Sequence, residues 1–92
     1  SGPSVQINTA ARASAELDIR GLETLEAESV VENYLDAASR SKLGTVTIIH
    51  GKGTGALRAA VQQSLRKNKA VKSYRLGRYG EGESGVTVVE LK

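Results

Sequence analysis

Between Thr45 and Lys67 the chain changes its hydrophobic period once, across a run of glycines, and this constrains the fold more than any other stretch. Thr45-Val46-Thr47-Ile48-Ile49 reads as a buried strand, while Leu57, Ala60, Val61 and Leu65 recur at helical spacing. Between them lies His50-Gly51-Lys52-Gly53-Thr54-Gly55. A strand that turns through glycines directly into a helix is half of a strand–helix–strand unit. Three glycines at alternate positions permit left-handed backbone angles, so successive N–H groups can turn inward around an anion. The helix that follows adds the positive end of its dipole. Gly51, Lys52, Gly53, Thr54 and Gly55 therefore read as a phosphate cradle, with His50 supplying proton chemistry and Lys52 charge. The same glycines could serve a tight turn alone. Gly51, Gly53 and Ala56 also match the dinucleotide-binding spacing, but that site needs an acidic residue about 20 positions on. Tyr74, Arg75 and Leu76 stand there instead, and the nucleotide P-loop pattern is absent.

The flanking segments complete the architecture. Residues 15–19 alternate and stop at Arg20-Gly21, a first strand. From Thr24, a plausible cap, Ala27, Val31, Tyr34, Leu35 and Ala38 fall on one helical face. That helix should end near Lys42 with Gly44 behind it, and Tyr34 should pack in the core. A second helix is expected over 56–67, a third strand over 71–76, a glycine-rich loop over 77–85 and a fourth strand over 86–91. The order β-α-β-α-β-β predicts a two-layer α/β (α+β) sandwich, a four-stranded mixed sheet covered by two helices. The uncovered face should then present alternate positions such as Lys72 and Tyr74 to solvent or a partner. Residues 1–14 begin Ser-Gly-Pro and stay small and polar, so they read as an expression remnant followed by a linker, with one domain over 15–92.

Charge divides the chain more sharply than its total of +3 suggests. Residues 1–40 carry three basic and seven acidic side chains, whereas residues 41–92 carry ten and three. The basic half suits a polyanion such as DNA or RNA; a solvated basic surface is the plain alternative. There is no cysteine, which excludes disulfides and thiolate metal sites. No apolar run approaches the roughly 20 residues of a membrane span. With no signal-peptide pattern either, a cytoplasmic protein without membrane contact is expected.

Right-handed crossovers should point strands one, two and three the same way, so their carboxyl ends share one edge. Along it fall Asp18-Ile19-Arg20-Gly21, the His50–Gly55 loop and Gly77-Arg78-Tyr79-Gly80. Ligands bind at such edges in open α/β sheets.

Leu17-Asp18-Ile19-Arg20-Gly21, the His50–Gly55 loop and the closing Gly85-Val86-Thr87-Val88-Val89-Glu90-Leu91 together resemble the Smr (small MutS-related) domain. The closest likeness is to the copy at the C-terminus of the bacterial MutS paralogue associated with suppressing recombination. The resemblance spans 15–92. It implies a fold like the C-terminal domain of translation initiation factor three and an endonuclease acting on DNA or RNA. It also implies a larger parent carrying an ATPase and a dimerisation region, with the ribosome as a further partner. One departure stands out: Arg20 occupies a position that is histidine in another version of the first motif, leaving His50 as the only imidazole.

Cleaving a phosphodiester needs a nucleophile, charge stabilisation on the phosphoryl oxygens and usually a proton for the leaving oxygen. On that basis His50 is the candidate acid or base, and Asp18 orients it or holds a metal-bound water. Arg20 and Lys52 bind the phosphate together with the loop amides. Arg58, Arg75, Arg78 and Tyr79 are candidate backbone contacts and a stacking ring. RNA cleavage through the 2′-hydroxyl needs no cofactor, whereas DNA hydrolysis calls for a divalent ion such as Mg or Mn. Each residue also has a plainer role open to it: a surface ion pair for Asp18 and Arg20, a structural hydrogen-bonding histidine for His50, and ordinary loop positions for Arg78 and Tyr79. A non-catalytic module that binds branched DNA or ribosomal RNA is the alternative function.

Overall fold

A computed structural model describes residues 14–92. The linker expected over 1–14 lies, except for Ser14, outside the described residues. The elements are β1 (Glu16–Asp18), α1 (Thr24–Arg40), β2 (Thr45–Ile49), α2 (Ala56–Lys67), β3 (Val71–Leu76) and β4 (Val86–Leu91), with a 3-10 turn at Glu83–Gly85 before β4. This is the expected two-layer mixed-sheet fold.

The sheet order is β1-β2-β4-β3. β1 runs parallel to β2, and β4 is antiparallel to both of its neighbours. Strands β1, β2 and β3 thus share one direction, as the crossover rule requires. The α2 crossover does not join neighbouring strands, because β4 lies between β2 and β3. The reversed strand brings its own N-terminus, with the turn at Glu83–Gly85, to the edge where the other three strands end.

Both helices cover one face of the sheet. Ile19, Val46, Ile48 and Val89 meet Val31, Leu35, Val61 and Leu65 in one apolar core. Truncating such a residue to alanine costs about 2–5 kcal/mol. Tyr34 is buried, its hydroxyl donates to the Ser14 carbonyl, and burial with the nearby Glu16 charge pushes its pKa up to about 12.

Local details depart from expectation at the ends of α1. Thr24 is the first helical residue rather than the cap; Glu23 takes the cap position without a side-chain hydrogen bond. At the other end Lys42, not Gly44, adopts the left-handed conformation (φ 61°). The N–H groups of Lys42 and Leu43 then reach the carbonyls of Ser39 and Ala38, a Schellman closure.

The exposed face of β3 is also corrected. The β3–β4 register slips by one residue between Val71 and Ser73. Val71 therefore pairs with Leu91 and Tyr74 with Val89, both packed toward the core. Ser73 and Arg75 take the uncovered face, opposite Glu90 and Val88. Lys72, at the slip itself, is exposed as expected.

Candidate active site

The rim where β1, β2 and β3 end is tied together by backbone. The N–H groups of His50 and Gly51 both donate to the Gly85 carbonyl, at 3.1 and 2.8 Å. Gly51 and Gly55 have φ of 82° and 88°, so two of the three cradle glycines adopt the backbone only glycine accepts readily. Gly55 sits directly before α2, and the Thr54 hydroxyl accepts the Ala56 N–H at 3.2 Å.

His50 lies under this loop, only 4% exposed. Its Nδ1 is 2.9 Å from the Gly51 carbonyl and its Nε2 is 2.8 Å from Thr87 Oγ1. A carbonyl only accepts, so Nδ1 carries the proton and Nε2 accepts from the Thr87 hydroxyl in the neutral ring. Both nitrogens are occupied. Thr87, fully buried opposite Ile48, stands in the closing motif but was given no role by the sequence reading. Its signal was a hydroxyl in phase with the core residues Val89 and Leu91, which a buried strand tolerates only with a partner.

Asp18 and Arg20 form the second part of the rim. Arg20 Nε and Nη2 donate to Asp18 Oδ1 and Oδ2 at 3.0 and 2.6 Å, and the Arg20 N–H donates to Oδ1 at 3.0 Å. These bonds hold the Asp18 carboxyl at about 2, well below its usual value, and raise the pKa of the guanidinium. The Arg20 stem lies 3.4 Å from where a side chain at Gly51 would begin, so the first motif rests on the second. A side chain at Gly51 would begin in ordinary contact with that stem, and the positive φ is what disfavours one there.

The residues expected around a single phosphate nevertheless divide between two sides of the rim. Asp18 pairs with Ile49, on the face away from the helices, whereas His50 shares the phase of Ile48 and meets Thr87 on the helix side. A cleft of about 540 Å³ opens on that side. His50 and Gly51, Gly53, Thr54, Gly55 and Arg58 line it, facing the first turn of α1, but Asp18, Arg20 and Lys52 do not. Alternation along a strand is the cause: consecutive side chains leave on opposite faces. Lys52 instead reaches Glu83 at 3.7 Å.

The third loop reaches the same edge with mixed success. Arg75 is held by Glu81 at 2.8 and 3.3 Å, and Glu81 also accepts the Arg78 N–H at 2.7 Å. Those donors lower the Glu81 carboxyl to about 2. Tyr79 stands 95% exposed, and the Arg78 guanidinium forms no close ion pair among the described residues, although its charge helps lower the Glu81 carboxyl. No three His, Asp or Glu side chains gather into a metal site among the described residues, and no helix there is long and apolar enough to cross a membrane.

Comparison with known proteins identifies the family. The family model of the Smr domain matches residues 17–92. "Endonuclease MutS2" of Ruminiclostridium cellulolyticum is 56% identical over 88 residues, covering 96% of this chain and 11% of that protein. The protein of the same name from Clostridium acetobutylicum is 59% identical over 76 residues, 83% of this chain and 10% of its own length. The chain thus spans about a tenth of these relatives. Among solved structures, the Smr domain of Thermus thermophilus MutS2 superposes with a TM-score of 0.82 at 47% identity, covering 84% of this chain and 96% of that one. YdaL, a stand-alone small MutS-related protein from Escherichia coli, gives 0.80 at 27% identity, covering 85% of this chain and 64% of its own. A family match over nearly all of the described residues, agreeing with motifs that the fold brings to one rim, shows that this chain belongs to the Smr domain family.

Proposed function

We propose that this domain is the phosphodiester-cleaving module of a larger MutS-like protein, acting on DNA or RNA at the rim. The observation that carries the reading is the exposed Asp18–Arg20 pair resting on Gly51 at the mouth of a glycine loop. The name of the relatives, Endonuclease MutS2, supports it.

An exposed ion pair is weak in water, so a phosphate can take a share of the guanidinium at little cost. Arg20 then meets the phosphoryl oxygens while Asp18 keeps it oriented. With its pKa near 2, Asp18 is ionised at neutral pH and serves as a hydrogen-bond acceptor for the attacking hydroxyl or water. Lys52 and the loop amides offer further stabilisation to the developing charge. His50 acts from below: its Nδ1–H fixes the Gly51 carbonyl, and with it the direction of the neighbouring amides. A divalent ion would have to be shared between Asp18 and the phosphate itself, since the described residues supply no ligand cluster. That donor set does not hold an ion by itself, and the steps above do not pass through one.

A second reading, a non-catalytic binding module, draws support from His50, whose two nitrogens are already engaged. Nicking of plasmid DNA and cleavage of single-stranded RNA, each with and without chelator, separate the two. Product that disappears in Asp18→Asn supports cleavage at the rim; saturable, salt-sensitive binding without product supports the binding module.

A further inference from the structure

The cations at the rim are largely neutralised from within the domain. Arg20 is paired with Asp18, Lys52 with Glu83 and Arg75 with Glu81. Farther along the molecule the opposite holds. Arg66, Lys69 and Lys72, where α2 ends and β3 begins, have no carboxylate partner among the described residues. Here a second cleft of about 390 Å³ is lined by Arg66, Lys72 and Tyr74. The register slip leaves Lys72 outside the regular ladder, the kind of irregularity that re-aims a side chain, and Lys72 lines the cleft beside α2. Arg66 Nη1 lies 3.5 Å from the Tyr74 hydroxyl, which places the guanidinium over the same opening.

One row of α2 joins this cleft to the rim. Arg58, Gln62 and Arg66 follow one another at intervals of four, directly beside the row of half-buried Leu57 and buried Val61 and Leu65. Arg58 lines the rim cleft and Arg66 the distal one. The two arginines are eight residues apart, about 12 Å along the axis at 1.5 Å per residue.

We infer that the α2–β3 cleft is a second backbone-phosphate contact, and that a nucleic-acid strand runs from Arg58, in the helix-side cleft of the rim, along the Arg58–Gln62–Arg66 row to Arg66 and Lys72. At about 3.4 Å of axial rise per nucleotide, three to four nucleotides cover the distance. The inference rests on the nucleic-acid reading above and adds where the strand is held outside the rim. The rim then supplies geometry and the distal cleft supplies affinity, which is what unpaired, solvated cations give to phosphate binding.

The test is the binding of a fluorescein-labelled oligonucleotide, single-stranded and as duplex, to the domain and to the double variant R66Q/K72Q across a salt series. Loss of two phosphate contacts lowers the slope of log K against log salt by about 1.4 for the single strand and about 1.8 for the duplex. Affinity at low salt should fall at least tenfold and return in R66K/K72R. Both side chains are exposed, and a circular dichroism melt of each variant verifies folding. If the unaltered domain binds and R66Q/K72Q matches it in affinity and slope, the second contact is wrong while the nucleic-acid reading stands. If the unaltered domain binds neither probe, the nucleic-acid reading itself fails and the second contact falls with it.

Discussion

The rim holds two polar pairs side by side, and they differ in almost everything except their place at the ends of adjacent strands. Asp18 and Arg20 meet in solvent through charge-assisted bonds two residues apart. His50 and Thr87 meet in the interior, 37 residues apart in sequence. The first pair costs little to open, because water and then a phosphate can replace either partner. The second costs the desolvation of a buried polar atom. The proposed function accordingly assigns chemistry to the exposed pair and positioning to the buried one.

The sharpest way to break this division is to separate activity from stability. Arg20→Gln should lower turnover by about 100- to 1000-fold, the usual loss on removing a charge-stabilising donor, with a nearly unchanged melting temperature. Full cleavage by this variant would move the site away from the rim. Thr87→Val should show the reverse pattern. It leaves Nε2 of His50 without its donor, a loss of about 1–3 kcal/mol in a urea melt, while turnover of the folded fraction changes only a few-fold. A stability loss indistinguishable from zero would mean that the buried pair contributes nothing.

Acid titration sharpens the contrast further. The folded pKa of Asp18 is lowered from 3.8 to about 2 and that of Glu81 from 4.5 to about 2. A lowered carboxyl binds its proton less readily when folded, so its stabilisation is complete above the unfolded value and is lost as pH falls from about 4 toward 2. Melting temperature should decline through that window, and less steeply in Asp18→Asn. Both carboxyls are exposed, so the change is small. The smallest effect is expected at Arg75, already held by Glu81. Arg75→Gln should shift oligonucleotide affinity less than Arg78→Gln, and a larger loss at Arg75 would show that its pair with Glu81 opens for the ligand.

Much of the architecture was legible in the chain. The bounds of β2, α2, β3 and β4 coincide with their expected runs, and in β2, α2 and β4 each run buries an apolar stripe. The shared rim was legible too, since crossover handedness is nearly invariant. The position of β4 between β2 and β3 was not, because strand pairing between distant segments leaves no local trace. Tyr74 was assigned to the uncovered face by simple alternation, and a one-residue slip at Lys72 reversed the phase. His50 and Asp18 were read as neighbours of one phosphate, although Asp18 pairs with Ile49, the residue before His50, so that the two side chains depart on opposite faces.

The amino-acid sequence by itself determined the elements, their order, the glycine loop and the charge asymmetry, since these depend on near neighbours and on composition. Tertiary structure alone decided which polar groups are paired. It placed Thr87 on His50, Glu83 on Lys52 and Glu81 on Arg75, and left Arg66 and Lys72 beside one cleft with no carboxylate partner among the described residues. The physical reason is that a cation's availability depends on which carboxylate the fold brings within a few ångströms, and that distance is set by the packing of segments far apart in the chain.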